Sequence, residues 1–319
     1  MLPSPQTICE TARIMPQPAS PPVARPKVIY VMGAGRSGST ILGVTLGNCD
    51  GVFFAGELEK WLGKAGRSPL PGAERERFWG EVREQVDASD LFGGRASRME
   101  RSSALFHPRN WPARRRMRRR YRQVAEELYR AVAHVAGVTY VVDTSHYPLR
   151  ARELQHLAGV DLFLMFVVRN PHSVVASLGR DDVVERRFGA LTTNLYLWLT
   201  YLLSVSTFLR HPREQRLFLR HEEFLADPHA VVAQILERAG APASTPDLAR
   251  LRTGVPFQGN RLVRSEVVAL ERNEGRPQQT SLVTSLLQLP WRAVLSRMRP
   301  TIGMPTPRQP VSASLGPTT

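Results

Sequence analysis

Five short apolar runs along the chain predict buried β-strands, and longer helical patterns alternate with them. The strand runs lie at 28–32, 52–54, 139–142, 162–168 and 216–220. Short runs rich in β-branched and aromatic residues are typical of strands that are buried on both faces. The predicted helices cover about 38–48, 56–64, 73–88, 119–136, 148–157, 171–180, 188–210 and 229–239. This alternation predicts βαβ units and therefore an α/β fold, a parallel sheet flanked by helices.

The same pattern sets the predicted domain organisation. One domain is expected over residues 27–299, and its segment from about 64 to 118 interrupts the alternation with Gly-Gly, Pro and arginine clusters. We interpret that segment as an insertion near the mouth of a ligand site, where loops commonly set selectivity. Residues 1–26 and 300–319 are rich in proline and lack apolar periodicity, which predicts disordered tails.

A glycine-rich turn follows the first predicted strand. Residues 33–40 read Gly-Ala-Gly-Arg-Ser-Gly-Ser-Thr and lead directly into an apolar helical pattern. The free N–H groups of such a turn and the dipole of the following helix both favour a phosphate or sulfate. The spacing fits the nucleotide loop G-x-x-x-x-G-K-[ST], but Ser39 replaces the lysine, and the cation of this turn is Arg36. A cation inside the turn suits one compact anion, such as the 5′ group of a nucleotide. The alternative is a strand-to-helix turn that binds no ligand.

A second turn with a cation follows the fourth predicted strand. Arg169 directly follows the run 162–168. Pro171 fits the first turn of the next helix, and Ser177 lies about two turns into that helix. Ligands of open parallel sheets bind at the carboxyl ends of the strands. Arg169 is therefore expected on the same edge of the sheet as Arg36.

These two turns resemble the nucleotide motifs of the sulfotransferases that use 3′-phosphoadenosine-5′-phosphosulfate (PAPS). In that family a loop like residues 33–40 holds the 5′-phosphosulfate, and an arginine at a strand end with a serine eight residues later holds the 3′-phosphate. Similar segments continue in order between about residues 27 and 265, as in the tyrosylprotein and bacterial branches. They are the Gly-Glu at 56–57, residues 141–150 (similar to "V-D-S-S-K-x-P"), residues 219–228 (similar to "R-Y-E-D-L-x-x-D-P") and Gly259–Arg261 (similar to "G-N-x-x-R").

The resemblance implies a sulfotransferase topology akin to that of P-loop NTPases, PAPS as co-substrate and no metal. The implied phosphosulfate contacts are Gly35, Arg36, Ser37, Gly38, Ser39 and Thr40. For the 3′-phosphate the implied contacts are Arg169 and Ser177, with Arg261 and Arg264 as weaker candidates. Because the leaving 5′-phosphate gains negative charge, Arg36 is also a candidate for stabilising the transition state.

An acceptor hydroxyl also needs a general base. Glu57 is the first candidate, because it follows a short strand beside the loop, at the position that the Gly-Glu resemblance implies. A base works best with its pKa near the operating pH, so a partly buried glutamate would fit this role. The alternative is a carboxylate that stabilises the start of the next helix. His146 stands where the similar segment usually has lysine, so it is a candidate second cation, a candidate base, or a structural residue. Asp143 is expected to cap the turn or to orient Arg36 or His146.

Positive charge dominates the composition. The formal net charge is +15 over 319 residues, and the run Arg114–Arg122 contains seven of the arginines. Such a run is consistent with a solvated helix start, with a basic rim for an anionic acceptor or PAPS, or with nucleic-acid binding. Since no RNA-binding signature or aromatic interleaving accompanies it, no specific nucleic-acid partner is expected.

Cysteine use and hydropathy bear on location. Cys9 and Cys49 form no framework and are typical of free thiols in a reducing compartment. Residues 191–209 carry no charge, but seven Ser, Thr or Asn residues favour a buried helix over a membrane span. No signal-peptide pattern is found at the N-terminus. We therefore expect a cytoplasmic protein without a transmembrane segment.

Two other functions compete with sulfuryl transfer. A P-loop kinase or NTPase would use ATP, but it requires the lysine that Ser39 replaces. A non-catalytic protein that binds anions or nucleic acid through Arg114–Arg122 would bind without sequence preference and with a steep salt dependence. The acceptor class stays open among small molecules, carbohydrates, lipids and peptides.

Overall fold

The structure, a computed structural model, describes residues 25–93, 96–170, 173–175, 190–271 and 282–298. The predicted tails, apart from residues 25–26, lie outside these ranges, as do Ser177 and most of the predicted helix 171–180.

A five-stranded parallel sheet forms the centre of the described part. Its strands are β1 (Lys27–Gly33), β2 (Val52–Gly56), β3 (Tyr140–His146), β4 (Asp161–Val168) and β5 (Arg216–Arg220). They pair in the order β2-β3-β1-β4-β5, and every pair is parallel. The five predicted strands and the α/β fold class are confirmed, because each apolar run is a strand buried between two helical layers.

Helices cover both faces of the sheet. They are α1 (Ser39–Gly47), α2 (Glu59–Gly63), α3 (Ala73–Glu84), α4 (Ser97–Glu100), α5 (Trp111–Ala136), α6 (Pro148–Leu154), α7 (Ala190–Arg210), α8 (His221–Ala226), α9 (Pro228–Ala239) and α10 (Leu282–Arg297). A small antiparallel pair, β6 (Leu251–Arg252) and β7 (Val267–Val268), lies outside the main sheet. Of these elements, α4, α8, α10 and the β6–β7 pair were not predicted, and α5 begins at Trp111 rather than at 119.

The sheet separates two apolar cores. Tyr30 and Met32 of β1 contribute to the core that contains α3, α5 and α7, whereas Ile29 and Val31 contribute to the core of α1 and α9. Alternate residues of a strand point to opposite faces, which explains this division. Helix α1 lies close against the sheet because Gly43 has no side chain: an added Cβ would be 2.4 Å from the ring of Phe54.

The arginine run lies within the first three turns of α5, and most of it is engaged with the protein itself. The contacts are Arg114 to the carbonyl oxygen of Arg98, Arg118 and Arg122 to Glu153, and Arg120 to Asp87 and Asp90. Arg115, Arg116 and Arg119 are the exposed members of the run.

The long apolar pattern near 191–209 forms helix α7. Leu197, Tyr201 and Phe208 of this helix are buried against the sheet. Within the described ranges, no helix is both long and apolar enough to cross a membrane.

Candidate active site

Four of the predicted site positions lie along the carboxyl edge of the sheet, with His221, which was not predicted, at one end. Glu57 follows β2, His146 ends β3, the loop with Arg36 follows β1, Arg169 follows β4, and His221 follows β5. The structure thus brings the base candidates Glu57 and His146 to the same edge of the sheet as Arg169. Because β1 is the central strand, the glycine loop lies between the two base candidates and Arg169.

The glycine loop depends on a backbone shape that few residues adopt. Gly38, the residue before α1, has φ 87°, and an added Cβ would be 2.2 Å from the imidazole of His221. Arg36 also has a positive φ, 71°. Positive φ is costly for residues with a Cβ and is concentrated at functional sites. The loop is therefore held in a specific conformation by its neighbours.

Gly38→Ala is expected to lower the free energy of unfolding by roughly 1 to 3 kcal/mol, because it adds both backbone strain and a clash with His221. Gly35→Ala is the matched control, since a Cβ there meets no heavy atom within 4 Å. Urea denaturation of the two variants measures the difference. Equal losses would contradict the description of the loop.

Several buried polar atoms around the loop have no hydrogen-bond partner among the described residues. They are Ser37 Oγ, Thr144 Oγ1, His221 Nδ1 and Gln258 Oε1. Buried polar groups are normally paired, so each unpaired one calls for an explanation. Of these, Ser37 lies in the loop and His221 lies against Gly38 just before α1. A hydroxyl and an imidazole at a helix N-terminus fit an oxyanion such as a phosphate or a phosphosulfate.

A segment from the C-terminal part of the domain covers the acceptor side of the loop. The backbone N–H of Glu57 donates to the carbonyl oxygen of Gln258 at 2.8 Å. Close by, a Cβ on Gly259 would be 3.6 Å from Thr40 Cγ2. The short 3₁₀ turn Arg261–Arg264 follows, with both arginines exposed. Gly259 is thus next to the glycine loop.

Glu57 is partly buried, and burial raises the pKa of its carboxyl group above the ordinary value. The positive charges of Lys60 and Arg36 oppose this rise, and the nearby Asp143 adds to it. A carboxylate with a raised pKa is a better proton acceptor than an ordinary one at neutral pH. The environment of Glu57 therefore suits a general base.

His146 has a different environment. It ends β3 with φ 54°, beyond an irregularity in the pairing of β3 with β1. Burial and the charge of Lys60 lower its pKa to about 4. Its imidazole is therefore uncharged at neutral pH, which disfavours the predicted role of second cation and makes it a weaker base than Glu57.

Asp143 has a partner that the sequence did not suggest. It accepts hydrogen bonds from the backbone N–H of Ser145 at 2.8 Å and from Tyr129, and its carboxylate pairs with Arg150 at 3.3 Å. Arg150 also pairs with Glu100 at 2.7 Å. The expectation that Asp143 caps the turn is confirmed. Its ionic partner is Arg150, buried beneath the edge, rather than Arg36 or His146.

Arg169 is half-buried on the other side of the loop, near His221. Burial, together with the charge of Arg169, lowers the pKa of His221 to about 4. The neighbouring Asn170 donates its backbone N–H to Glu222 at 2.8 Å, which ties the ends of β4 and β5 together. His221 lies against Gly38 and was missed by sequence reasoning, because nothing in its local pattern indicates contact with a loop far away in sequence.

No group of three or more His, Cys, Asp or Glu side chains suited to a metal ion is found within the described ranges.

The fold is that of a parallel α/β protein with a glycine-rich loop between β1 and α1, at the carboxyl edge of the sheet. The model of the family described as "Sulfotransferase family" matches residues 26–246, and the chain therefore belongs to the sulfotransferase family. No curated protein matches the chain in sequence.

Solved sulfotransferase structures share this fold. The sulfotransferase domain from the curacin biosynthetic pathway is 16% identical, with a TM-score of 0.52 over 87% of this chain and 100% of that one. The sulfotransferase domain from the Synechococcus PCC 7002 olefin synthase is 15% identical, with a TM-score of 0.50 over 87% of this chain and 97% of that one.

Proposed function

We propose that this protein transfers the sulfuryl group of PAPS to an acceptor hydroxyl or amine and releases adenosine 3′,5′-bisphosphate. The observation that carries the proposal is the order of groups along the carboxyl edge. A glycine loop with a guanidinium lies between a carboxylate with a raised pKa and a second guanidinium. Family membership supports the reaction class.

The donor side consists of the loop and the end of β4. Arg36, Ser37, Ser39 and Thr40 would bind the 5′-phosphosulfate, together with the N–H groups at the start of α1. Arg169 would bind the 3′-phosphate, since a guanidinium suits an oxyanion with two acceptor oxygens. Ser177, Arg261 and Arg264 stay predictions for the same phosphate.

The chemical step needs a base and charge stabilisation. The acceptor oxygen attacks sulfur, its proton passes to the carboxylate of Glu57, and the bond between sulfur and the 5′-phosphate oxygen breaks. The leaving oxygen gains negative charge, which Arg36 and the loop N–H groups would stabilise. As in phosphoryl transfer, catalysis then rests on positioning and electrostatics, without a covalent enzyme intermediate.

A kinase or NTPase function has less support. Ser39 occupies the place of the P-loop lysine. The acceptor class, a cytoplasmic location and a role for the run Arg114–Arg122 stay predictions.

Incubation with PAPS and a panel of phenols, alcohols, sugars, lipids and amines tests the proposal directly. We expect release of adenosine 3′,5′-bisphosphate that depends on one class of acceptor. With ATP and Mg²⁺ we expect no release of ADP. Hydrolysis of ATP without use of PAPS would contradict it.

A further inference from the structure

A cavity of about 370 Å³ lies at the amino ends of the strands, away from the candidate active site. The ends of α6 and α7 enclose it. Its position along the sheet is set by His211, whose Nε2 donates to the carbonyl oxygen of Leu162 at 3.0 Å, near the start of β4. At about 3.3 Å per residue, Arg169 lies roughly 20 Å away, beyond the other end of that strand. The cavity is therefore separate from the catalytic edge.

The polar lining of the cavity comes from two helix ends that are tied together. It consists of Arg152, Gln155, His156, Thr207, Arg210 and His211. The side-chain amide of Gln155 donates to the carbonyl oxygen of Thr207 at 2.9 Å, which joins the end of α6 to α7. Thr207 and His211 are buried, whereas Arg152, His156 and Arg210 are exposed. The cavity thus has a fixed floor and a mouth made of cationic and imidazole side chains.

The mouth of the cavity carries two positive charges and no carboxylate. Within the described ranges, the side chains of Arg152 and Arg210 form no ion pair or hydrogen bond. Glu153, the neighbour of Arg152 in sequence, is buried and paired with Arg118 at 3.3 Å and with Arg122 at 2.8 Å. Because a guanidinium does not lose its proton in proteins, both charges at the mouth persist at every relevant pH.

Two guanidinium groups at one cavity suit an oxyanion. Each can donate two parallel hydrogen bonds to a phosphate or a sulfate, a geometry that a lysine does not match. A volume of about 370 Å³ is at the small end of ligand pockets, which favours a compact molecule. Arg152 and Arg210 each lie in the last turn of a helix, where a cation is favourable. That preference acts on each helix separately and does not explain why the two arginines line the same cavity.

We propose that this cavity binds a compact dianion, a phosphate or sulfate group, between the guanidinium groups of Arg152 and Arg210 and beside His156. The site needs neither PAPS nor Glu57, so the inference stands apart from the proposed function.

Titration with inorganic sulfate and, separately, with inorganic phosphate tests the proposal, while sodium chloride keeps the ionic strength constant. The imidazole NMR signals of His156, identified by their loss in His156→Gln, are the readout, so an anion at the glycine loop does not contribute. Burial and the charges of Arg122 and Arg152 lower the pKa of His156. A bound dianion opposes those charges, and we expect a saturable change with a rise of roughly 0.5 unit in this pKa. The anion that saturates at lower concentration identifies the group that the cavity prefers.

Two double variants locate the binding. Arg152→Gln/Arg210→Gln should weaken binding at least tenfold, since it removes the charge-assisted hydrogen bonds to the anion. Arg77→Gln/Arg250→Gln removes the same charge from two exposed residues outside the cavity and should respond as wild type does. Because all four arginines are exposed, both variants should fold, which thermal unfolding without anion checks. Equal responses in all three proteins, or no saturation in wild type, would overturn the proposal and leave Arg152 and Arg210 as cations that stabilise helix ends.

Discussion

Arg36→Ala is expected to lower kcat by about 100- to 1,000-fold, the loss typical of removing one group that stabilises charge in the transition state. The guanidinium lies in the turn between β1 and α1, where the leaving oxygen of the 5′-phosphate would gain its charge. Binding of adenosine 3′,5′-bisphosphate should also weaken, because the same side chain contributes to the ground-state anion site. Turnover of PAPS and calorimetric titration of the bisphosphate measure the two effects.

Backbone strain is the main confounding factor in that experiment. Arg36 has φ 71°, and alanine is strained there, whereas glycine is not. Arg36→Gly therefore removes the guanidinium without adding strain and should lose as much activity as Arg36→Ala. Recovery of activity in the glycine variant would mean that the loop shape, and not the charge, was responsible.

Glu57→Gln is expected to lower kcat by about 100- to 10,000-fold while leaving binding of adenosine 3′,5′-bisphosphate unchanged. The glutamine keeps the shape and the backbone contact with Gln258 but cannot accept the acceptor's proton. In the wild type, activity should fall as the pH is lowered through the pKa of Glu57. Because burial raises that pKa, the loss should begin at higher pH than for an exposed glutamate.

His146→Gln separates the two base candidates. Since burial lowers the pKa of His146 to about 4, its imidazole binds a proton only weakly, and its replacement should have a much smaller effect on turnover. Normal turnover in Glu57→Gln, together with a large loss in His146→Gln, would assign the base to the histidine.

The strands could be predicted from the sequence because each has an uncharged apolar centre with polar or glycine residues on either side. The glycine loop and Arg169 could also be predicted, because short motifs with a fixed residue spacing indicate them. A general rule about the carboxyl ends of parallel strands predicted that the glycine loop and Arg169 lie at the same edge of the sheet. The order of the strands could not be predicted, and that order puts the loop between the base candidates and Arg169.

The residues that were missed depend on contacts between distant segments. His221 lies against Gly38 only after β5 has paired with β4, and Arg150 contacts Glu100, which belongs to the predicted insertion. Glu59 and Lys60 look like an ordinary charged helix start, and only the packing of α2 against the end of β3 reveals that Glu59 is buried. Nothing in the local sequence of Arg114–Arg122 indicates that its arginines form ion pairs with Glu153, Asp87 and Asp90.

The most direct test of the central claim is thermal unfolding with adenosine 3′,5′-bisphosphate, compared with ADP and with ATP plus Mg²⁺ at equal concentration. A ligand at 100 times its Kd adds about 2.7 kcal/mol to the free energy of unfolding, which raises the midpoint by several degrees. Stabilisation by the 3′,5′-bisphosphate alone is the predicted result, since it requires both the loop and a 3′-phosphate site at Arg169. Stabilisation by ATP alone would contradict the sulfotransferase account and favour a kinase.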